Sequence, residues 1–143
     1  MANQDALSIV RQVFDAWNAH DVKRVHALLT NDFVWESDTL PAPVRGLEAH
    51  RQAMEMYLHA FPDLHFEIEQ MLACGDYVVT RWHSTGTHKG ELMGIPATNR
   101  RGEGLHGCTV HEVKDGKLQH DWVHWDALTL LRQLGVMPAA PGR

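Results

Sequence analysis

The run Gly104-Leu105-His106-Gly107-Cys108-Thr109-Val110-His111-Glu112-Val113, the four residues Lys114-Asp115-Gly116-Lys117 and the run Leu118-Gln119-His120-Asp121-Trp122-Val123-His124-Trp125 decide the fold. Asp-Gly between two β-rich runs is a strong hairpin signal, because the favoured turn needs positive φ at its central positions. The two runs read as neighbouring antiparallel strands. A three-residue loop with a glycine bulge sets Thr109 opposite Asp121; a tight two-residue turn shifts the pairing by one, and both registers stay open. Upstream, Tyr77 to His88 is a longer β-rich run entered through the turn Gly75-Asp76. Phe66, Ile68 and Leu72 mark one strand more, with Glu67 and Glu69 between them showing that one face is buried.

The first half of the chain has the other period. Ile9, Val13, Phe14 and Trp17 form one apolar stripe on a helix from Ala6 to Ala19. Asp21 N-caps a second helix to Leu29, with Val22, Val25, Leu28 and Leu29 as its buried face. Phe33 to Glu36 reads as a short strand, and Thr39 to Arg45 as a loop. Gly46 opens a third helix to about Ala60, which Phe61-Pro62-Asp63 stops. Lys89 to Arg100, with its glycines and proline, reads as a loop that folds over a cavity mouth. A last helix from Ala127 to Leu134 ends at Gly135 and leads into a tail expected to fray. The sum is one α+β domain over residues 1–143: a strongly curved antiparallel sheet wrapped on three N-terminal helices, forming a cone with an internal pocket, and a short C-terminal helix.

Composition narrows the function. With 143 residues there is room for one core. The net charge of −5, with Lys and Arg scattered, argues against nucleic acid as a partner. No apolar run approaches the ~20 residues that span a bilayer, so no membrane partner is expected. Met1-Ala2-Asn3-Gln4-Asp5 lacks a signal-peptide pattern, and the expected address is cytoplasmic. Cys74 and Cys108, without a CxxC pattern, read as buried free thiols. The 11 His and 5 Trp suit a pocket for an organic ligand, since they supply protons near neutrality and flat apolar faces. His83, His88, His106, His111, His120 and His124 follow no metal-ligand spacing, so no metal is expected.

Several stretches together resemble the SnoaL-like polyketide cyclases, a family of the cone-shaped cystatin-like α+β superfamily. They are Ala16-Trp17-Asn18, Arg45-Gly46, Phe61-Pro62-Asp63, the run Thr85-Gly86-Thr87-His88-Lys89-Gly90-Glu91-Leu92-Met93-Gly94-Ile95-Pro96-Ala97-Thr98, the hairpin Asp115-Gly116-Lys117, and the ending Trp125-Asp126 with Arg132-Gln133-Leu134-Gly135. The resemblance implies ring closure of a polyketide ester by intramolecular aldol chemistry, without metal or organic cofactor, and a homodimer paired through the outer sheet face. Aligned on the hairpin, the family's catalytic aspartate falls on Val123 and its histidine on Thr109, neither able to act as a general base near neutral pH. The first-helix aromatic is kept as Trp17, and the polar position of the third helix falls on Ala53.

Side chains two apart on a strand share a face, so His111, Asp121 and Trp125 point with Thr109 and Val123. Asp121 is the carboxylate best placed to replace the missing base, with His111 as partner; the simpler account makes the two a stabilising pair at a solvated strand edge. Asp126, just before the last helix, reads as a cap. Arg81 and His83 share a strand face with Tyr77 and Val79, where Arg81 either clamps a substrate oxygen or makes a structural ion pair. His88 either holds the loop or faces the ligand. Trp17, Trp35, Tyr57 and Met93 are the expected apolar contacts to a small hydrophobic, ring-containing ligand. His106, Cys108, Val110, Trp122 and His124 would form the outer, dimer-forming face. Three functions compete: a cofactor-independent acid–base enzyme (cyclase, isomerase or lyase) acting on a hydrophobic carbonyl compound, a non-catalytic binding protein, and epoxide hydrolysis built on Asp121 and Arg81.

Overall fold

A computed structural model describes residues 2–138, and the tail beyond them lies outside the described residues. Helices α1 (Ala2–Asn18) and α2 (Val22–His26) lead into β1 (Leu29–Ser37) and β2 (Val44–Arg45). Helix α3 (Leu47–Ala60) precedes β3 (His65–Cys74), β4 (Tyr77–Thr87), β5 (Arg101–Lys114) and β6 (Lys117–Trp125), and α4 (Ala127–Gln133) closes the chain. One six-stranded sheet runs in the order β2-β1-β6-β5-β4-β3. All neighbours are antiparallel except β1 and β6, which run parallel.

The helix phasing follows from the sequence. Val10, Val13, Phe14 and Ala16 of α1 are buried on the stripe that its spacing indicates. Asp21 caps α2 by accepting from the Arg24 amide at 3.0 Å. That helix stops at His26, three residues earlier than its apolar pattern suggests, and Leu29 instead begins β1, where it is buried in the same core. Both Asn18 amide atoms are spent on Phe66, donating to its carbonyl at 2.9 Å and accepting from its N–H at 2.8 Å, which pins the end of α1 to β3.

The sheet departs from simple alternation at several register shifts, and those on β3 and β6 decide which side chains face inward. Asp115 and Gly116 have φ of 51° and 80°, so the hairpin is closed by a two-residue turn, Lys114 facing Lys117. The extra residue lies beyond the turn, at Gln119, between the pairs Val113↔Leu118 and Glu112↔His120. That slip sets Thr109 opposite Val123 and His111 opposite Asp121, a pairing that neither of the two open registers gave. On β3 the register slips at Glu69. Phe66 and Ile68 face the core before it and Met71 and Ala73 after it, so Leu72, expected inside, is 58% exposed. Cys74, expected buried, is exposed at the end of that strand, and Cys108 is half-buried; both are free thiols.

The concave face of the sheet carries α1 and α3, and two apolar clusters fill the space. The larger joins α1, α3 and the sheet around Phe33, Met54 and Leu118. The smaller joins Leu130 of α4 and its C-cap Leu134 to Leu105, Phe61, Ala60 and Leu92. Residues 89–100 lie against this second cluster. His88 is wholly buried, stacks on Phe61 at 5.5 Å and bonds Thr98 through Nδ1 at 3.1 Å, so it holds the loop.

Candidate active site

Between the two clusters the concave face encloses an open-mouthed cavity of about 140 Å³. That is on the scale of the ~150 Å³ apolar cavity that admits a benzene ring, so the rest of a larger ligand would extend through the mouth. Of the side chains expected there, Trp17, Trp35, Tyr57, Thr109, His111, Asp121, Val123 and Trp125 all line it. Most of the remaining wall is apolar, with Phe14, Phe66 and Trp82 prominent.

Three expected ligand contacts lie elsewhere. The β4 residues that face inward are Val78, Thr80, Trp82 and Ser84, because Thr80 pairs with Thr109 on the inner face. Arg81 and His83 therefore point outward, with Arg81 donating to Gln70 at 3.2 Å and His83 lying 3.6 Å from Glu67. The constellation for epoxide hydrolysis is thus not assembled, since Arg81 and Asp121 are on opposite faces. Met93 is 47% exposed on the loop, outside the cavity wall. The loop packs against the mouth cluster through Leu92, which leaves Met93 facing solvent.

At the inner end, three polar side chains form a chain across β4, β5 and β6. Thr80 Oγ1 is 3.1 Å from His111 Nε2, and His111 Nδ1 is 2.7 Å from Asp121 Oδ1. Thr80 and His111 are buried and the Asp121 side chain is 14% exposed, so of the two that line the cavity, His111 and Asp121, the carboxylate is the more accessible. When Nε2 accepts the threonine O–H, the His111 Nδ1–H donates to Asp121. The other carboxylate oxygen makes no hydrogen bond among the described residues and is free to meet a ligand. Thr109 is occupied differently, its hydroxyl accepting from the Trp82 indole at 3.0 Å. The Trp125 indole donates to Thr39 at 3.2 Å.

His50 is the polar wall residue that sequence reasoning missed. It projects from α3 and is 4% exposed, in edge-on contact with Trp17, Phe33 and Trp35. Its Nδ1 lies 3.3 Å from Nε2 of His26. Burial, with a contribution from His26 and partial opposition from Asp121, pushes its imidazole down to about 4, so it is neutral near pH 7. Its spacing was a signal, since His50, Met54 and Tyr57 recur at four and three residues on one helix face. Burial also raises the Tyr57 phenol, which Thr39 partly offsets. Among the described residues, no group of three or more His, Cys, Asp or Glu side chains is placed to share a metal ion, and no helix is long and apolar enough to cross a membrane.

A curved sheet wrapped over helices around an apolar cavity with a buried acid–histidine pair defines a small-molecule protein of the cone-shaped α+β type. The chain belongs to the SnoaL-like polyketide cyclase family, which it matches over residues 8–134. It is 30% identical over 135 residues to aklanonic acid methyl ester cyclase DauD of Streptomyces sp. (strain C5), covering 90% of this chain and 81% of that protein. Among solved structures it superposes on AclR of Streptomyces galilaeus, a proposed hydroxylase, with a TM-score of 0.85 at 29% identity, covering 98% of this chain and 87% of AclR. TsrD of Streptomyces laurentii gives a TM-score of 0.82 at 26% identity, covering 94% and 97% of the two chains.

Proposed function

We propose that this chain is a cofactor-independent acid–base enzyme that cyclises or isomerises a hydrophobic, ring-containing carbonyl compound, with Asp121 as the base and His111 as its partner. The observation that carries this reading is the Thr80–His111–Asp121 chain, which ends in a carboxylate at an apolar cavity. Removing a proton from carbon needs a base held near the substrate and shielded from water. Asp121 takes the proton next to a ketone or ester carbonyl, and the C–H electron pair passes into an enolate. In the cyclising case the enolate carbon attacks a second carbonyl carbon of the same molecule, a C–C bond forms, and the new alkoxide recovers the proton. Substrate and product are isomers, so the balance calls for no further reactant. His111 cannot turn away without losing Thr80, so the carboxylate keeps one orientation.

The test is Asp121→Asn with aklanonic acid methyl ester and a panel of aromatic β-keto esters, following conversion by chromatography and binding by tryptophan quenching. Loss of the general base is expected to lower conversion by roughly 10²–10⁴-fold while quenching persists. Full turnover without the carboxylate removes Asp121 from the mechanism. One observation favours a second reading. By the resemblance the family's acid and histidine positions fall on Val123 and Thr109, and the Thr109 hydroxyl is already bonded to Trp82. A non-catalytic binding protein on the same frame would show saturable quenching with no product from any compound in the panel. The outer face, with Trp122 and Tyr77 rings 6.5 Å apart, supports a homodimer as the assembled form, which light scattering on the eluted protein would report.

A further inference from the structure

An enolate formed at Asp121 places negative charge on an oxygen inside an apolar cavity, and that charge needs a hydrogen-bond donor. The indole N–H groups of Trp82 and Trp125 are already given to Thr109 and Thr39. Ser84 and Thr85 line the mouth, near Leu105 and away from the acid. His50 lies at the inner end. Its ring is 5.7 Å from that of Trp35, and Trp35 is the β1 residue paired with Asp121. Its Nδ1 faces His26, while its Nε2 has no hydrogen-bond partner among the described residues, and the residue lines the cavity.

We infer that His50 is a catalytic residue, a neutral imidazole whose Nε2–H donates to the substrate carbonyl oxygen as it becomes an enolate, and that His26 is a positioning residue whose Nε2–H fixes this tautomer by donating to Nδ1. The inference rests on the reading of Asp121 as base and adds the group that receives the charge. A charged imidazolium would donate its proton outright and lose it to the enolate. A buried imidazole that stays neutral across the working range remains a donor through the reaction, and the depressed basicity of His50 fits that role. The aromatic edges of Trp17 and Phe33 hold the ring against rotation, so the donor is in place before the charge develops.

The first test is the tautomer, read on the whole chain by long-range ¹⁵N–¹H NMR at neutral pH. The hydrogen of His50 is expected on Nε2 in the native protein and divided between the Nε2–H and Nδ1–H tautomers in His26→Phe. A hydrogen on Nδ1 in the native chain overturns the proposal, and an unchanged tautomer in His26→Phe overturns the role of His26. The second test uses 2-naphthol, whose anion carries an enolate-like oxygen on a fused ring. It is titrated by absorbance against Asp121→Asn, which removes the competing carboxylate. The bound naphthol is expected to ionise at lower pH than the free compound. Adding His50→Leu should weaken binding of the anion by about tenfold to a hundredfold, as loss of a charge-assisted hydrogen bond does, and His50→Gln should restore part of it. Anion affinity unchanged in His50→Leu, or no anion binding by Asp121→Asn, overturns the proposal. Should His50→Leu not fold, His50→Gln and the tautomer still decide it. Turnover by Asp121→Asn with the naphtholate result intact would instead remove the base and leave His50 as the anion donor.

Discussion

Asp126 ends the last strand and begins the last helix, and both its carboxylate oxygens are spent on Thr129, one on the amide at 3.0 Å and the other on the hydroxyl at 2.6 Å. Those bonds hold its carboxyl below the usual aspartate range. The cap is legible in the sequence because it depends only on neighbours. Asp126→Ala is expected to cost about 1 kcal/mol in a urea titration, with the cavity's ligand affinity unchanged. His50 was not legible in the same way. Its role depends on His26, Trp35 and Asp121, which come from three other elements, and a histidine on an apolar helix stripe has no local sign of what it will meet. Asp121 and His111 sit between these extremes. Their shared face follows from strand spacing, but their direct contact follows from a register outside the two that the residues left open.

Registers and faces belong to the elements, and the bulges at Gln119 and Glu69 are where a strictly alternating count fails. The order of helices and strands, apart from the two-residue β2 that was expected as loop, is readable from periodicity, and the hairpin from turn chemistry. Which face of β4 meets the cavity is not, because a functional pocket mixes the usual sorting. Thr80 and Ser84 are buried inside, while Tyr77 is outside at 44% exposure. Seeking polar side chains for the cavity wall therefore misassigns Arg81 and His83 to the inner face. Close approach between β4 and β5 also limits what the ladder tolerates. Gly107 faces Trp82, and a Cβ at Gly107 would lie 2.2 Å from the indole ring. Gly107→Ala must displace that ring from Thr109, since neither strand can yield alone. The expected cost is about 1–3 kcal/mol by denaturant titration, together with weaker ligand quenching, as overpacking at a cavity wall predicts.

Across the whole molecule, acid stability should carry the mark of buried His50 and its half-buried partner His26. The folded state holds His50 neutral down to about 4, whereas an unfolded histidine takes up its proton near 6.5. The unfolded chain therefore binds more protons as pH falls from 6.5 toward 4, and stability drops through that window rather than below it. His26, lowered by burial and then by Arg51, acts in the same direction. The His50 contribution is on the order of 3 kcal/mol by pH 4. Urea midpoints measured from pH 7 to pH 4 should fall steeply for the native chain and less steeply for His50→Gln. Equal slopes would show that His50 accepts a proton in the folded state.

The single parallel ladder, β1 against β6, joins parts of the chain that are far apart, since Glu36 and His120 across it are separated by 84 residues. Contacts of such long range form late in folding, after the loop between them has closed at an entropic cost. Trp35 comes to Asp121 through this ladder, so the cavity's inner end is completed in the same late event. A folding chain thus has its hairpins before it has a binding site. A ligand in the finished cavity then acts on the way out rather than the way in, slowing escape from the native state while leaving the rate of arrival nearly untouched.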